Sequence, residues 1–205
     1  NLNGTLIKIG PGSDTFINIF DIREDSLEDG ETGYLANKIG KLIGFFNLIF
    51  GDINEEEKAI LEEKLIELYK RKGITFDDNS LHKIEKNKIN IKPDFKDTYD
   101  MPLLEDLCNL LDEDEKTKIL KIRLIPLSFF NNYTNLNLNN KLIVADIYEM
   151  GEENLKYAMY LFVDYFWDRI KKDRNIKKAI YLDEIWRLIG VTSNKDVASF
   201  IYKIF

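Results

Sequence analysis

Two short apolar runs in the last third of the chain constrain its fold most strongly, because each leads into an acid, Asp146 or Asp183, and a helical stretch separates them. The runs are LIVADI at 142–147 and AIYL at 179–182. Uninterrupted apolar runs of this length are typical of strands buried on both faces of a sheet. Between them, apolar residues recur at helical spacing, at Leu155, Met159, Phe162, Phe166 and Ile170. The order strand, helix, strand predicts parallel strands joined by a right-handed crossover, and therefore an α/β fold.

The first two thirds of the chain have a different rhythm. A β-branched run at Thr5–Ile9, closed by Gly10-Pro11-Gly12, predicts one more strand and a turn. Helical spacing then appears in four stretches, at 31–50, 54–73, 102–111 and 117–125, with a long loop at 77–100. We therefore predict a partial parallel-sheet core formed by residues 1–30 and 127–205, and a mostly helical insertion at 31–126.

Composition excludes several classes of protein. The chain of 205 residues has one cysteine and one histidine, so Cys108 has no disulfide partner and His82 no soft-ligand zinc site. We expect Cys108 to pack in the core, His82 to be solvated and the protein to lie in a reducing cytoplasm. No run suits a membrane span or a signal peptide. The net charge of −7 argues against a protein that coats nucleic acid, although residues 1–116 carry −11 and residues 117–205 carry +4.

The stretch KKAIYLDEIWRLIG at 177–190 contains the clearest candidate for chemistry, the adjacent acids Asp183 and Glu184. Ligands of α/β proteins bind at the carboxyl ends of parallel strands. In phosphate-transferring motors the first such acid holds Mg²⁺ and the second orients the attacking water. An acid after a strand is equally a good helix N-cap, so the pattern alone leaves both roles open. A glycosidase pair of Asp146 and Glu184 is disfavoured, because nothing in the sequence places them around a sugar.

A phosphate-binding loop is missing from the sequence. The P-loop requires G-x-x-x-x-G-K-[ST], but Gly40-Lys41 is followed by Leu42 and preceded by Leu35 at the first glycine position. The chain begins with Asn1 instead of Met, and it stops at Phe205 inside a helical pattern. We therefore expect a fragment of a longer protein, in which the P-loop precedes Asn1.

From Pro126 to Phe205 the sequence resembles the ATPases of type IV secretion and conjugative DNA transfer. That family has an F-n-x-x-t-n phrase, an apolar strand ending in Asp, a long helix, and a Walker B strand that reads apolar-D-E-x-W. The matching residues here are Phe130-Asn131, Thr134-Asn135, Asp146, Asp183-Glu184 and Trp186. PGSDTFINIFDI at 11–22 and the D-x-P-L-L-x-D-L phrase at 100–107 also resemble family segments.

This resemblance implies a RecA-like motor, hexameric in the full-length parent, that couples ATP hydrolysis to export of DNA or protein. Asp183 would bind Mg²⁺ and Glu184 would activate water, while Trp186 and Arg187 would be structural neighbours only. Its partners would be other subunits of a secretion channel at the inner face of the cell membrane, and direct contact with DNA stays open. We expect the isolated fragment to bind ATP poorly and to hydrolyse none.

Two alternatives belong to other classes. One is a catalytically silent helical adaptor on a degenerate nucleotide-binding fold, whose acidic first half binds partners. The other is a hexameric DNA translocase of a different motor family, which would share the Walker B acids but not the FNNYTN phrase.

Overall fold

A computed structural model describes residues 4–27, 31–51, 53–83, 94–113, 117–136, 138, 140–171 and 175–184. Within these ranges the chain forms a small parallel sheet and a set of helices. The elements are β1 (Gly4–Lys8), α1 (Tyr34–Phe50), α2 (Glu55–Arg71), α3 (Leu104–Asp112), α4 (Lys118–Leu124), β2 (Leu142–Asp146) and α5 (Glu152–Lys171). Short 3-10 turns connect them, among them Ile125–Phe130, which continues α4 and leads to β2.

Among the described residues, the first predicted strand and LIVADI pair in parallel. β1 and β2 pair in parallel from Gly4 with Leu142 to Lys8 with Asp146. One face packs on the core, where Ile7 is buried. The other face exposes Leu6 and Val144, which are 58% and 50% accessible. The prediction that LIVADI is buried on both faces is therefore wrong, because a continuous apolar run does not reveal that only one face of its sheet is covered.

The second predicted strand is also absent. Residues 179–182 have no regular secondary structure, and Tyr181 is 93% exposed. A strand is stable only when a neighbour accepts and donates its backbone hydrogen bonds. Among the described residues only β1 and β2 form a sheet, and His82 and Phe95 add one isolated antiparallel bridge. The predicted α/β fold is therefore seen as a two-stranded parallel sheet among helices. The helical pattern in which the sequence stops at Phe205 lies outside the described residues.

Local capping explains where the first two helices begin and where the second one ends. The carboxylate of Asp78 accepts the backbone N–H groups of Gly33 and Tyr34 at 2.8 and 3.1 Å, at the positive end of α1. α2 begins with a capping box between Asn54 and Glu57. Its C-terminal end turns at Gly73, whose φ of 68° suits glycine, as the sequence predicts.

The helices pack in sequence around one apolar cluster. α1 contacts α2, α2 contacts α3, α3 contacts α4, and α5 returns to α1. The predicted inward stripes are confirmed by the burial of Leu35, Ile39, Leu42, Ile43 and Phe46 in α1 and of Leu61, Leu65 and Leu68 in α2. The cluster includes residues from the predicted core and from the predicted insertion, and the division at 31–126 stays a prediction.

The two residues singled out by composition have ordinary structural places. Cys108 in α3 is half-buried against the core, as predicted, and burial raises the pKa of its thiol. His82 is half-buried, not solvated, and its ring lies edge-on to Phe95 with 5.6 Å between the ring centres. None of the described helices has the length and hydropathy needed to cross a membrane.

Candidate functional site

The predicted acidic pair lies in an exposed turn after α5. Asp183 and Glu184 follow the irregular segment 179–182, and both side chains are exposed. Glu184 has a φ of 54°, in the left-handed region that costs a residue with a side chain roughly 1–2 kcal/mol. The structure therefore does not place the pair at the end of a buried strand. Trp186 and Arg187 lie outside the described residues.

Asp146 ends β2 as predicted, and it shapes the turn that follows. Its carbonyl accepts the N–H of Ile9 at 3.0 Å, which extends the sheet pairing by one step. Its carboxylate oxygen Oδ1 accepts the N–H of Tyr148 at 3.1 Å. This side chain-to-backbone bond is the usual way in which an aspartate turns the chain.

The FNNYTN phrase forms a hydrogen-bonded clamp on the segment after β1. Asn135 accepts the N–H of Phe16 at 2.8 Å through Oδ1 and donates to the carbonyl of Asp14 at 2.7 Å through Nδ2. The hydroxyl of Thr134 accepts the N–H of Asn18 at 2.8 Å. These bonds satisfy backbone groups of an irregular segment that has no strand neighbour there. In this structure, therefore, the side chains of the phrase fix the backbone of residues 14–18 by hydrogen bonds.

The same phrase also supports α3. Asn131 accepts the N–H of Glu105 at 2.8 Å through Oδ1, in the first turn of that helix. Such a bond satisfies one of the N–H groups that a helix leaves unpaired at its start. The phrase thus connects the segment after β1, the start of α3 and the approach to β2.

Sequence reasoning missed a buried cluster of charges between the segment after β1, α1 and α5. Asp168, whose side chain is 2% exposed, contacts Arg23 at 2.5 Å, Lys41 at 3.0 Å and Lys171 at 3.4 Å. Lys41 also contacts Asp164 at 2.7 Å. The available signal was the spacing of Asp164 and Asp168, which places two acids one turn apart in the otherwise apolar and aromatic stretch 157–168 of α5.

The charges of this cluster shift one another's pKa values. Burial alone would raise the pKa of Asp164, but the nearby Lys41 and Lys38 outweigh burial and keep that pKa below its usual value. Burial lowers the pKa of Lys38 to about 8, against the opposing attraction of Asp164. Burial raises the pKa of Asp21, although hydrogen bonds from Thr134 and Thr98 partly offset it. A buried ion pair adds little net stability, because the lost hydration of both charges offsets much of their attraction.

The donor chemistry needed for Mg²⁺ is only partly present among the described residues. No group of three or more acids, histidines or cysteines in that part of the chain could hold a metal ion. Mg²⁺ in nucleotide sites binds one or two carboxylates, with water and phosphate oxygens completing its shell. The exposed carboxylates of Asp183 and Glu184 fit that chemistry.

Comparison with known proteins shows a similarity of structure but no match of sequence. No protein-family profile matches the sequence, and no curated protein matches it. The structure is similar to a solved structure of VirB4 from Thermoanaerobacter pseudethanolicus, with a TM-score of 0.73 and 22% sequence identity. The similarity covers 98% of this chain and 77% of that one. At this identity the likeness shows that the two chains share a fold.

Proposed function

We propose that the chain is part of an ATPase that powers type IV secretion or conjugative DNA transfer. The observation that carries the proposal is the shared fold with VirB4 over 98% of the chain. The FNNYTN phrase and the Asp183-Glu184 pair of the type IV secretion ATPases support it independently, because they are found in the sequence alone. The RecA-like nature of the complete sheet is part of this proposal.

In this function the two acids have separate roles. Asp183 would hold Mg²⁺ through its carboxylate, and Glu184 would orient the attacking water and accept its proton. When bound, ATP would supply the phosphoryl group that is transferred. Both carboxylates are exposed, so they are accessible to a nucleotide presented by another part of the protein.

The partners follow from the same family. The full-length protein assembles into a homo-oligomer, a hexamer in its family, and docks through other secretion subunits at the inner face of the membrane. The exported substrate is DNA or protein.

A second candidate function is a catalytically silent interaction domain. The observation that favours it is the exposed turn at Asp183 and Glu184, which lacks the rigid strand that a Walker B site requires. Its acidic first half, with a charge of −11 over residues 1–116, would then bind partners.

The two candidate functions predict different effects of Glu184→Gln on the ATP turnover of the full-length protein encoded by the gene. For an ATPase we expect Glu184→Gln to keep ATP binding and to lower turnover by about 100-fold or more, because general-base catalysis contributes that much. ATP binding is measured by isothermal titration calorimetry, and turnover is measured by the release of inorganic phosphate. The 205-residue chain itself is expected to bind ATP poorly and to hydrolyse none.

The control is Glu153→Gln, which neutralises another exposed glutamate, at the start of α5, and should leave turnover unchanged. Undiminished turnover in Glu184→Gln would remove Glu184 from the mechanism. The absence of a Gly-Lys-Ser/Thr loop upstream of Asn1 in the gene would favour the interaction domain.

A further inference from the structure

Among the described residues, Lys38 is the cation of the buried charge cluster that lacks a partner. Arg23, Lys41 and Lys171 contact Asp168 at 2.5, 3.0 and 3.4 Å. Lys38 lies one turn before Lys41 on α1 and is 9% exposed. Its amino group forms no hydrogen bond and no ion pair with any residue in the described part of the chain. A nine-tenths-buried amine without a partner costs free energy, so packing alone does not explain a lysine at this position.

The charges near Lys38 come from three elements and act in opposite directions. Asp164 on α5 and Asp21 after β1 attract its proton, whereas Lys41 on α1 and Arg23 after β1 repel it. Burial is the largest influence and lowers the pKa of Lys38 to about 8. At pH 8 about half of the Lys38 amino groups are therefore neutral, against roughly 1 in 300 for an exposed lysine. A neutral amine is the nucleophilic form of lysine.

The burial of Lys38 selects small reagents. A bulky electrophile needs an open approach to the amine, which a residue that is 9% exposed does not offer. Carbon dioxide is small, linear and uncharged, and it reacts with neutral amines but not with ammonium groups. Its product, a carbamate, is an anion, and a buried anion needs cations beside it.

Two cations that suit a carbamate lie near Lys38. The positive charges of Lys41 and Arg23 both act on its amino group. Arg23 uses Nη2 for Asp168 and Nε for Asp25, and its Nη1 donates no hydrogen bond to a described residue. A carbamate on Lys38 therefore replaces repulsion from two cations by attraction, and one guanidinium nitrogen has donors to offer it.

We propose that Lys38 is a modification site at which the amino group takes up carbon dioxide reversibly as a carbamate. The lone pair of Nζ forms the new bond to carbon, one C–O π pair moves to oxygen, and one proton passes from nitrogen to solvent. The reaction needs no oxidant, reductant or leaving group. The nearby acids oppose the new charge, but Lys41 contacts Asp164 at 2.7 Å and burial raises the pKa of Asp21. Both effects reduce the negative charge that the carbamate meets.

Labelled bicarbonate tests the proposal on the full 205-residue chain. The protein is equilibrated with ¹³C-bicarbonate at pH 8, and ¹³C NMR detects a carbamate carbon apart from the resonances of bicarbonate and carbon dioxide. Triethyloxonium converts the carbamate to a stable ethyl ester, and peptide mass spectrometry assigns the lysine that carries it. We expect at least about tenfold more ester on Lys38 than on Lys41, whose pKa its two acids raise, or on exposed Lys177.

Variants connect the resonance to one amine. Lys38→Met should abolish it, whereas Lys177→Met should leave it unchanged. At constant carbon dioxide pressure the wild-type signal should grow from pH 7 to pH 9, because the neutral fraction of Lys38 grows. Carbon dioxide should also raise the melting temperature of wild type at constant pH and ionic strength, but not that of Lys38→Met. If circular dichroism shows that Lys38→Met does not fold, Lys38→Arg replaces it, because arginine keeps the charge and forms no carbamate.

Three outcomes would overturn the proposal: a folded wild-type chain without ester on Lys38, equal amounts of ester on Lys38 and Lys177, or a carbamate resonance that persists in Lys38→Met or Lys38→Arg. The carbamate needs neither ATP nor Mg²⁺, so it can fail while the ATPase proposal stands, and the reverse also holds.

Discussion

At the scale of single residues, Asp168 is the most consequential side chain. It is nearly inaccessible to water, yet three cations from three parts of the chain contact it. Arg23 also stacks on the ring of Tyr165, with its guanidinium 3.8 Å from the ring centre. One carboxylate therefore fixes how α5 lies against α1 and against the segment after β1.

Asp168→Asn keeps the shape of this side chain and removes its charge. We expect a loss of about 2–4 kcal/mol in the free energy of unfolding, because Arg23 and Lys41 become poorly compensated while remaining partly exposed. Urea unfolding followed by circular dichroism measures this loss. Asp112→Asn, at the exposed pair with Lys121, is the matched control and should cost far less. Equal losses would mean that the buried cluster has no special structural role.

Lys38 predicts a pH dependence with a definite sign. Burial lowers its pKa to about 8 in the folded state from 10.5. Between these values the unfolded chain binds a proton that the folded chain does not, so stability rises with pH by at most about 1.4 kcal/mol per unit. Below pH 8 both states are protonated and the full cost of the buried charge is present.

Comparison with Lys38→Met isolates this effect from other titrating groups. The free energy of unfolding of wild type minus that of Lys38→Met should rise between pH 8 and pH 10. Asp21, Arg23, Lys41 and Asp164 are the charges near Lys38 and are unchanged in both proteins. A flat difference over this range would contradict a depressed pKa for Lys38.

At the scale of elements, two glycines have opposite settings: one lies in a helix with free space around it, and the other lies where two chain segments pack closely. Gly40 is exposed on α1, and a Cβ there would meet nothing within 4 Å. Gly10 follows β1, and a Cβ there would lie 2.8 Å from the Cβ of Glu149 and 3.2 Å from its backbone carbon. The first glycine is a helix defect, whereas the second permits close contact of two chain segments.

We expect the two alanine substitutions to act in opposite directions. Gly40→Ala should stabilise the protein by about 0.5–1 kcal/mol, since alanine loses less backbone entropy in a helix. Gly10→Ala should destabilise it by about 1–3 kcal/mol, because the turn after β2 must move away. Thermal unfolding followed by circular dichroism checks both. Destabilisation by Gly40→Ala would mean that α1 needs glycine for a reason other than space.

The sequence predicts the helices of this fold better than it predicts the strands. The helices follow from 3.6-residue periodicity, and the start of α2 follows from Asn54 and its acids, because these signals are local. The strand at 179–182 does not form, since a strand depends on a neighbour that local pattern cannot supply. For the same reason, pattern alone could not show that Val144 faces solvent.

At the scale of the whole molecule, the sequence offers candidate site residues but does not predict their structural setting. The adjacent acids Asp183 and Glu184 stand out in the sequence, but the sequence does not show that they lie in an exposed turn. The buried charge cluster joins residues 23, 41, 164 and 168, which no local motif brings together. The FNNYTN phrase indicates a family resemblance in the sequence, but its hydrogen bonds to Phe16 and Asn18 are visible only in the folded structure.

The pairing of β1 with β2 has a consequence for folding kinetics. Gly4 pairs with Leu142, so the sheet closes a loop that contains α1, α2, α3 and α4. Closing so long a loop costs entropy that only later contacts repay, whereas the helices within it form from near neighbours. We therefore expect the helices to become structured first and the two strands to join last. The amide groups of β1 would then acquire protection against hydrogen exchange only as folding is completed.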